Sequence, residues 1–281
     1  MKFHLRLRSV ANQLPIGIFD SGFGGLTVAR AVIDLLPHED VVYFGDTARY
    51  PYGPQSLHKV REYAEEITDF LINKHNVKMV VIACNTAAAA ALGSLGETIG
   101  IPVVGVIKPG AQAVVEVSKA KKIGVIGTVG TISSGAYQKI ISELVDDSAE
   151  VTCIPCPGFV EFVERGESTG EQIQILAERL LAPIVQKNID ALLLGCTHYP
   201  YLARTISSVV GNDVVLVSSA DETAFAVSKT LRETKLESSK IKTGNRTFIS
   251  SGDVSWFAEL GQRLFGPELI SAESHEWSPN P

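Results

Sequence analysis

Residues 16–25 read IGIFDSGFGG: four apolar residues, then an acid, a serine and a glycine-rich turn. A short continuous apolar run suits a strand covered on both faces, because neither face meets water. The polar residues that close it belong to the loop beyond the strand's carboxyl end. The same grammar recurs at VVYFG (41–45), MVVIAC (79–84), IPVVGV (101–106), IGVIG (123–127), ALLLGC (191–196) and VVLV (214–217). Helical patterns fill the gaps, clearest in LHKVREYAEEITDFLINK (57–74) and EQIQILAERLLAPIVQK (171–187). Both space apolar residues for one helix face, with charges between. Pro183 is expected to end or kink the second. Strands alternating with helices give an α/β fold with mostly parallel sheets.

The chain also echoes itself. Ile16-Gly17-Ile18-Phe19-Asp20-Ser21-Gly22 resembles Ile123-Gly124-Val125-Ile126-Gly127-Thr128-Val129, and Ile82-Ala83-Cys84-Asn85-Thr86 resembles Leu194-Gly195-Cys196-Thr197-His198. Both matches fall at nearly one offset, which suggests two similar α/β halves. Helical and strand patterns continue after 220 (ADETAFAVSKTL, then RTFISSG), so the second half reads as an insertion into the first. The expected division is an arm at 1–13, a discontinuous first domain at 14–107 plus 220–266, a second domain at 108–219, and a tail at 267–281. The tail, rich in Ser, Glu and Pro, is expected to fray.

Composition narrows the function classes. Of 281 residues, 45% are hydrophobic and 20% charged, which is ordinary for a globular chain with a substantial core. A net charge of −6 lacks the basic face that nucleic acid demands. No apolar run approaches the roughly 18 residues of a membrane span. MKFHLRLRSV is basic but is followed by no apolar leader core. Four cysteines are too few for a disulfide scaffold, so a cytoplasmic, thiol-reducing setting is the simplest reading.

In parallel α/β sheets, ligands bind beyond the carboxyl ends of the strands. Asp20-Ser21-Gly22, Cys84-Asn85-Thr86, Thr128 and Cys196-Thr197-His198 all sit there, each before a helical pattern whose N–H groups suit anions. A cysteine within a strand is usually a small buried hydrophobe. Cys84 and Cys196 instead close their strands, where a helix N-terminus is expected to lower a thiol's pKa. Opposed thiols suit inversion of a stereocentre, which needs a base on one face and an acid on the other. Asp20 is placed to polarise Cys84, and His198 to hold or exchange the proton of Cys196.

Other features read as structural. Asp20 to Gly25 has the form of a capped turn. His38, His58 and His75 read as solvated, and His4 and His275 as terminal. Glu164, ending FVEFVE, reads by itself as a surface helix residue. Cys153 and Cys156 have CxxC spacing, but two prolines flank Cys156 and no second metal-ligand pair follows. GFGG lacks the full phosphate-loop patterns. No metal-ligand cluster and no lysine context for a Schiff-base cofactor stand out.

Assembled in order, IGIFDSGFGGLTV, YFGDTARYPYGPQS, VIACNTAAA, PVVGVIKPGA, IGVIGTVGTISSGAY, CPGFVEFVERG, LLLGCTHYP and SSGDVSWF resemble glutamate racemase of the aspartate/glutamate racemase superfamily, from about Pro15 to about Gly266. The resemblance implies two pseudosymmetric three-layer α/β domains with the active site in the cleft between them. It places catalytic thiols at Cys84 and Cys196, and a supporting acid at Glu164. Substrate contacts fall on Asp20, Ser21, Tyr52, Gly53, Asn85, Thr86, Thr128, Thr197 and His198. It also implies glutamate as the small-molecule substrate, no cofactor or metal, and D-glutamate supply for peptidoglycan in a bacterial cytoplasm. No nucleic-acid or membrane partner is implied, and a homodimer is compatible. Glu161 departs from the family, which often has proline or another non-acidic residue there.

Three other readings fit parts of the pattern. A sister racemase would act on aspartate or another acidic amino acid and need a tighter pocket around Tyr52. A non-catalytic module would bind an amino acid in the same cleft. A thiol oxidoreductase would use Cys153 and Cys156.

Overall fold

The computed structural model describes residues 11–145, 149–266, 269 and 271–277. The strands are β1 (Ile16–Asp20), β2 (Val41–Gly45), β3 (Met79–Ile82), β4 (Val103–Gly105), β5 (Lys122–Gly127), β6 (Glu150–Pro155), β7 (Ala191–Gly195), β8 (Val215–Ser218), β9 (Arg246–Ser250) and β10 (Glu273–Ser274). In chain order the helices are α1 (Leu26–Leu35), α2 (Leu57–His75), α3 (Asn85–Thr98), α4 (Ile107–Val117), α5 (Val129–Ser133) and α6 (Ala136–Leu144). They continue with α7 (Phe159–Glu164), α8 (Glu171–Val185), α9 (Ala203–Val210), α10 (Ser219–Thr234) and α11 (Val254–Leu264). A short 3₁₀ turn, Tyr199–Leu202, precedes α9.

Two sheets form, and every strand pair in them is parallel. Their orders are β10-β9-β2-β1-β3-β4 and β6-β5-β7-β8. The segment β2-β1-β3-β4 has the same connectivity as β6-β5-β7-β8, so the sequence echo reflects a repeated topology. In each, the connections leave the first and third strands in opposite directions. That opens a crevice between their carboxyl ends, the place where such sheets bind ligands. Asp20 and Cys84 flank the crevice between β1 and β3; Thr128 and Cys196 flank the one between β5 and β7. The chain returns to the first sheet through β9 and β10.

Side-chain alternation explains how the second sheet is covered. Ile123, Val125, Ala191 and Leu193 point into a core shared with the first sheet and its helices. Ile126, Leu192 and Leu194 point the other way, into a smaller core under α7, α8 and α9. Continuous apolar runs are the consequence of both faces being buried.

α8 carries Pro183 inside it and ends two residues later, at Val185, in keeping with the expected end. Two expectations change. Residues 271–277 of the tail do not fray: β10 pairs with β9, and the His275 N–H donates to the Ser250 carbonyl at 2.9 Å. The cause is aromatic, since His275 and Trp277 pack on Phe44 and Phe70. His75, read as solvated, is half-buried edge-on against Phe70. Of the arm, residues 1–10, including His4, lie outside the described residues. Asn12 is held through its carbonyl by Lys78 Nζ at 2.7 Å.

Candidate active site

The carboxyl ends of β1, β3, β5 and β7 border one cleft of about 600 Å³. Ser21, Tyr52, Gly53, Cys84, Asn85, Thr86, Thr128, Cys196, Thr197 and His198 line it. Asp20 and Glu164 stand one layer back from this lining. Asp20 is fully buried. Its Oδ2 accepts the Gly22 N–H at 2.9 Å and its Oδ1 accepts the Thr197 hydroxyl at 3.5 Å. Burial pushes its carboxyl up, against the pull of nearby His198.

Cys84 caps α3, and its Sγ accepts the Ala87 N–H at 3.5 Å. The thiol also donates to Ser21 Oγ at 3.8 Å. The expected fall in its pKa does not follow. Burial pushes Cys84 up to about 12, the charge of Asp20 adds to the rise, and the Ala87 N–H and Ser21 hydroxyl only partly oppose them. Desolvation of a fully enclosed thiolate outweighs one helix terminus.

Around Cys196 the electrostatics differ. Cys196 is followed by the 3₁₀ turn, and no helix is capped by its sulfur. His198 supplies the polarity: Nδ1 lies 3.8 Å from Cys196 Sγ, and Nε2 lies 3.2 Å from Glu164 Oε1. Burial alone would lower the imidazole pKa; the bonds to Cys196 and Glu164, with the charge of Asp20, override it and lift His198 to about 10. An imidazolium beside a sulfur favours the thiolate.

Hydroxyls stitch the two halves together. Thr86, Thr128 and Thr131 form a triangle with Oγ1 separations of 2.9, 3.0 and 3.2 Å. Thr128 caps α5. The Gly130 N–H donates to the Gly53 carbonyl at 3.0 Å. A methyl on Gly53 would press on Thr128, and one on Gly24 would collide with Thr197 and His198. Glycine at these points lets the halves approach. Asn85 Nδ2 donates to Tyr137 at 2.6 Å, while its buried Oδ1 has no partner.

Tyr52 presents its ring, because its hydroxyl is bonded to Asp46. Several wall residues were missed by the sequence reading, notably Tyr50, Val129, Cys156 and Glu161. Cys156 follows β6 as Cys84 follows β3, so the same strand-end signal pointed to it. It is buried, and burial pushes it up to about 12. Cys153 lies within β6 and is also a free thiol.

Residues 26–227 match the model of the Asp/Glu/Hydantoin racemase family. The glutamate racemase of Corynebacterium diphtheriae is 49% identical over 262 residues, spanning 93% of this chain and 98% of that one. The chain belongs to the Asp/Glu/Hydantoin racemase family. It is therefore an amino-acid racemase, as the ordered motifs implied. Its architecture agrees with racemase structures: a glutamate racemase isoform from Bacillus anthracis superposes with a TM-score of 0.88 at 41% identity, covering 95% of this chain and 98% of that chain. The glutamate racemase of Francisella tularensis, solved with D-glutamate, gives 0.86 at 34% identity with the same coverage.

Proposed function

We propose that glutamate binds in this cleft and that Cys84 and Cys196 invert its Cα by two-base proton transfer, without a cofactor. One observation carries the reading: the thiols occupy equivalent positions, each just past the third strand of its half, on the walls of one cleft. For L-glutamate, Cys196 as thiolate removes the Cα proton. The electron pair is stabilised by the α-carboxylate, and the Cys84 thiol delivers a proton to the opposite face. For D-glutamate the roles reverse.

The cleft residues divide the remaining work. Asn85 Oδ1 offers an acceptor to the substrate ammonium, and Ser21, Thr86 and Thr197 offer hydroxyls to the α-carboxylate. Tyr52 and Gly53, with Thr128 alongside, border the side-chain carboxylate. Asp20 orients Thr197, and Glu164 holds His198. A Cα–H is a very weak acid, so charge must be met by fixed dipoles in a site closed to water. The proposed units 14–107 with 220–266, and 108–219, close on one another to provide this. We further propose that the D-glutamate serves peptidoglycan synthesis in the cytoplasm. Four free cysteines support that compartment, and no described helix is long and apolar enough to cross a membrane.

The test is solvent deuterium at Cα. Each enantiomer of glutamate, incubated in heavy water with the protein alone, should acquire deuterium as it inverts. Binding without exchange would leave only an amino-acid-binding module, and faster exchange of aspartate would move the substrate assignment.

Ser21→Ala removes the hydroxyl that faces the Cys84 thiolate. It should lower kcat/KM about tenfold, the scale of one hydrogen bond to a charged group. The loss must be equal in both directions, because the enantiomers have equal free energy and the ratio of the two kcat/KM values is fixed. Circular dichroism from each enantiomer checks this, and an unchanged rate would remove Ser21 from the thiol's support.

A further inference from the structure

Two motifs singled out in the sequence have no part in the proton transfer: the Asp46–Arg49 portion of YFGDTARYPYGPQS, and SSGDVSWF. The structure brings both to one buried carboxylate. Asp46 is fully buried. Its Oδ1 accepts the Ser251 hydroxyl at 2.7 Å and the indole N–H of Trp277 at 2.9 Å. Its Oδ2 accepts Arg49 Nε at 2.7 Å and the Tyr52 hydroxyl. Four donors from three separate parts of the chain therefore saturate it.

These bonds bear on the cleft. Residues 46–54 form an irregular loop between β2 and α2, and Tyr50 to Pro54 make one wall of the site. Pro51 and Pro54 have no N–H to donate, which limits how the backbone can fix this loop. On the side of the second sheet the Gly130–Gly53 bond holds it. On the other side it is held through Tyr52, Asp46 and Arg49. The Arg49 guanidinium lies between two rings, 4.1 Å from the centre of Tyr63 and 4.0 Å from that of Trp277, and its Nη1 pairs with Glu66. Trp277 lies 231 residues from Asp46, so the segment 271–277 is folded back onto the loop.

We propose that Asp46, Arg49 and Trp277 are positioning residues for the racemase, a brace through which the C-terminal segment sets the substrate-facing wall at Tyr50–Pro54. The proposal rests on the reading of this cleft as the glutamate site. The brace touches neither thiol, so it acts on the fit of the substrate side chain and leaves the proton transfers alone. Removing one donor loosens the wall without emptying the core.

Trp277→Phe keeps an aromatic ring beside Arg49 and deletes the indole N–H together with part of the bicyclic ring. In the full-length enzyme it should raise KM for both enantiomers about tenfold, with kcat within about twofold. Trp277→Ala, which also removes the ring, should raise KM further. Asp46→Asn leaves a buried amide among donors and so tests folding as much as fit; the Trp277 pair decides the matter regardless. A Trp277→Phe enzyme with wild-type KM, or with a lowered thermal midpoint and unaltered KM and kcat, would overturn the brace. Cys84→Ala in the same assay separates the two claims. If it is inactive while Trp277→Phe keeps the wild-type KM, the brace alone fails. If it racemises normally, the cleft reading fails and the brace falls with it.

Discussion

Replacing either Cys84 or Cys196 with alanine is expected to reduce racemisation by about four orders of magnitude, the upper range for loss of a positioned acid or base. The argument is stereochemical. A proton leaves one face of Cα and another arrives on the opposite face, so each direction uses both sulfurs. The expected loss is therefore the same for the two variants and for the two substrates. The fold should survive. Cys84→Ala exchanges a small buried group for a smaller one and removes a cap from α3, which costs about 1 kcal/mol. A partial reaction distinguishes a missing acid from a ruined site. With a glutamate analogue carrying halide at Cβ, the remaining thiolate can still take the Cα proton while halide departs, giving an enamine. Each variant should eliminate from one enantiomer only, and from opposite ones. Full racemisation by either variant, followed by polarimetry, would end the two-thiol assignment.

Much of this site was readable because it lies at the ends of central strands. β1, β3, β5 and β7 are flanked by neighbours on both sides. Their apolar runs are unbroken, and the polar residues that end them stand out. β6 escaped the same reading for the converse reason. It is an edge strand, mostly half-exposed, and it contains Pro155, a residue an edge tolerates because a missing N–H there breaks no ladder. Cys156 was set aside with it, although it lines the cleft. The brace on Asp46 was invisible because its members are far apart in the chain, and a two-residue strand leaves almost no periodic signal. The acidity of Cys84 was misjudged because local sequence shows the helix terminus but not the burial. Glu164 illustrates the limit from the other side: an ordinary surface position by helical pattern, it becomes His198's partner only through the packing of α7 on the 3₁₀ turn.

The second large effect is expected at His198. With the imidazole lifted to about 10, both ring nitrogens carry protons at neutral pH, one directed at Cys196 Sγ and the other at Glu164. The charge falls away as pH rises through about 10, so activity should decline on the alkaline side there. Glu164 is one of the groups that raise this value. Glu164→Gln must therefore lower it, moving the alkaline limb to lower pH, and should also cost about tenfold in kcat/KM at pH 8. His198→Asn removes the charge altogether. It should cost about 10²–10³-fold, comparable with deleting a preorganised donor at a developing anion, and its profile should lose that limb. Stability follows the same sign. A base with a raised folded-state pKa stabilises the native state fully below its unfolded value of about 6.5, and the contribution is lost as pH rises through about 10. The difference in unfolding free energy between wild type and His198→Asn should thus be greatest near pH 6 and shrink toward pH 10. Denaturant titrations across that range measure it. An alkaline limb that stays in place in Glu164→Gln would show that His198 does not govern Cys196.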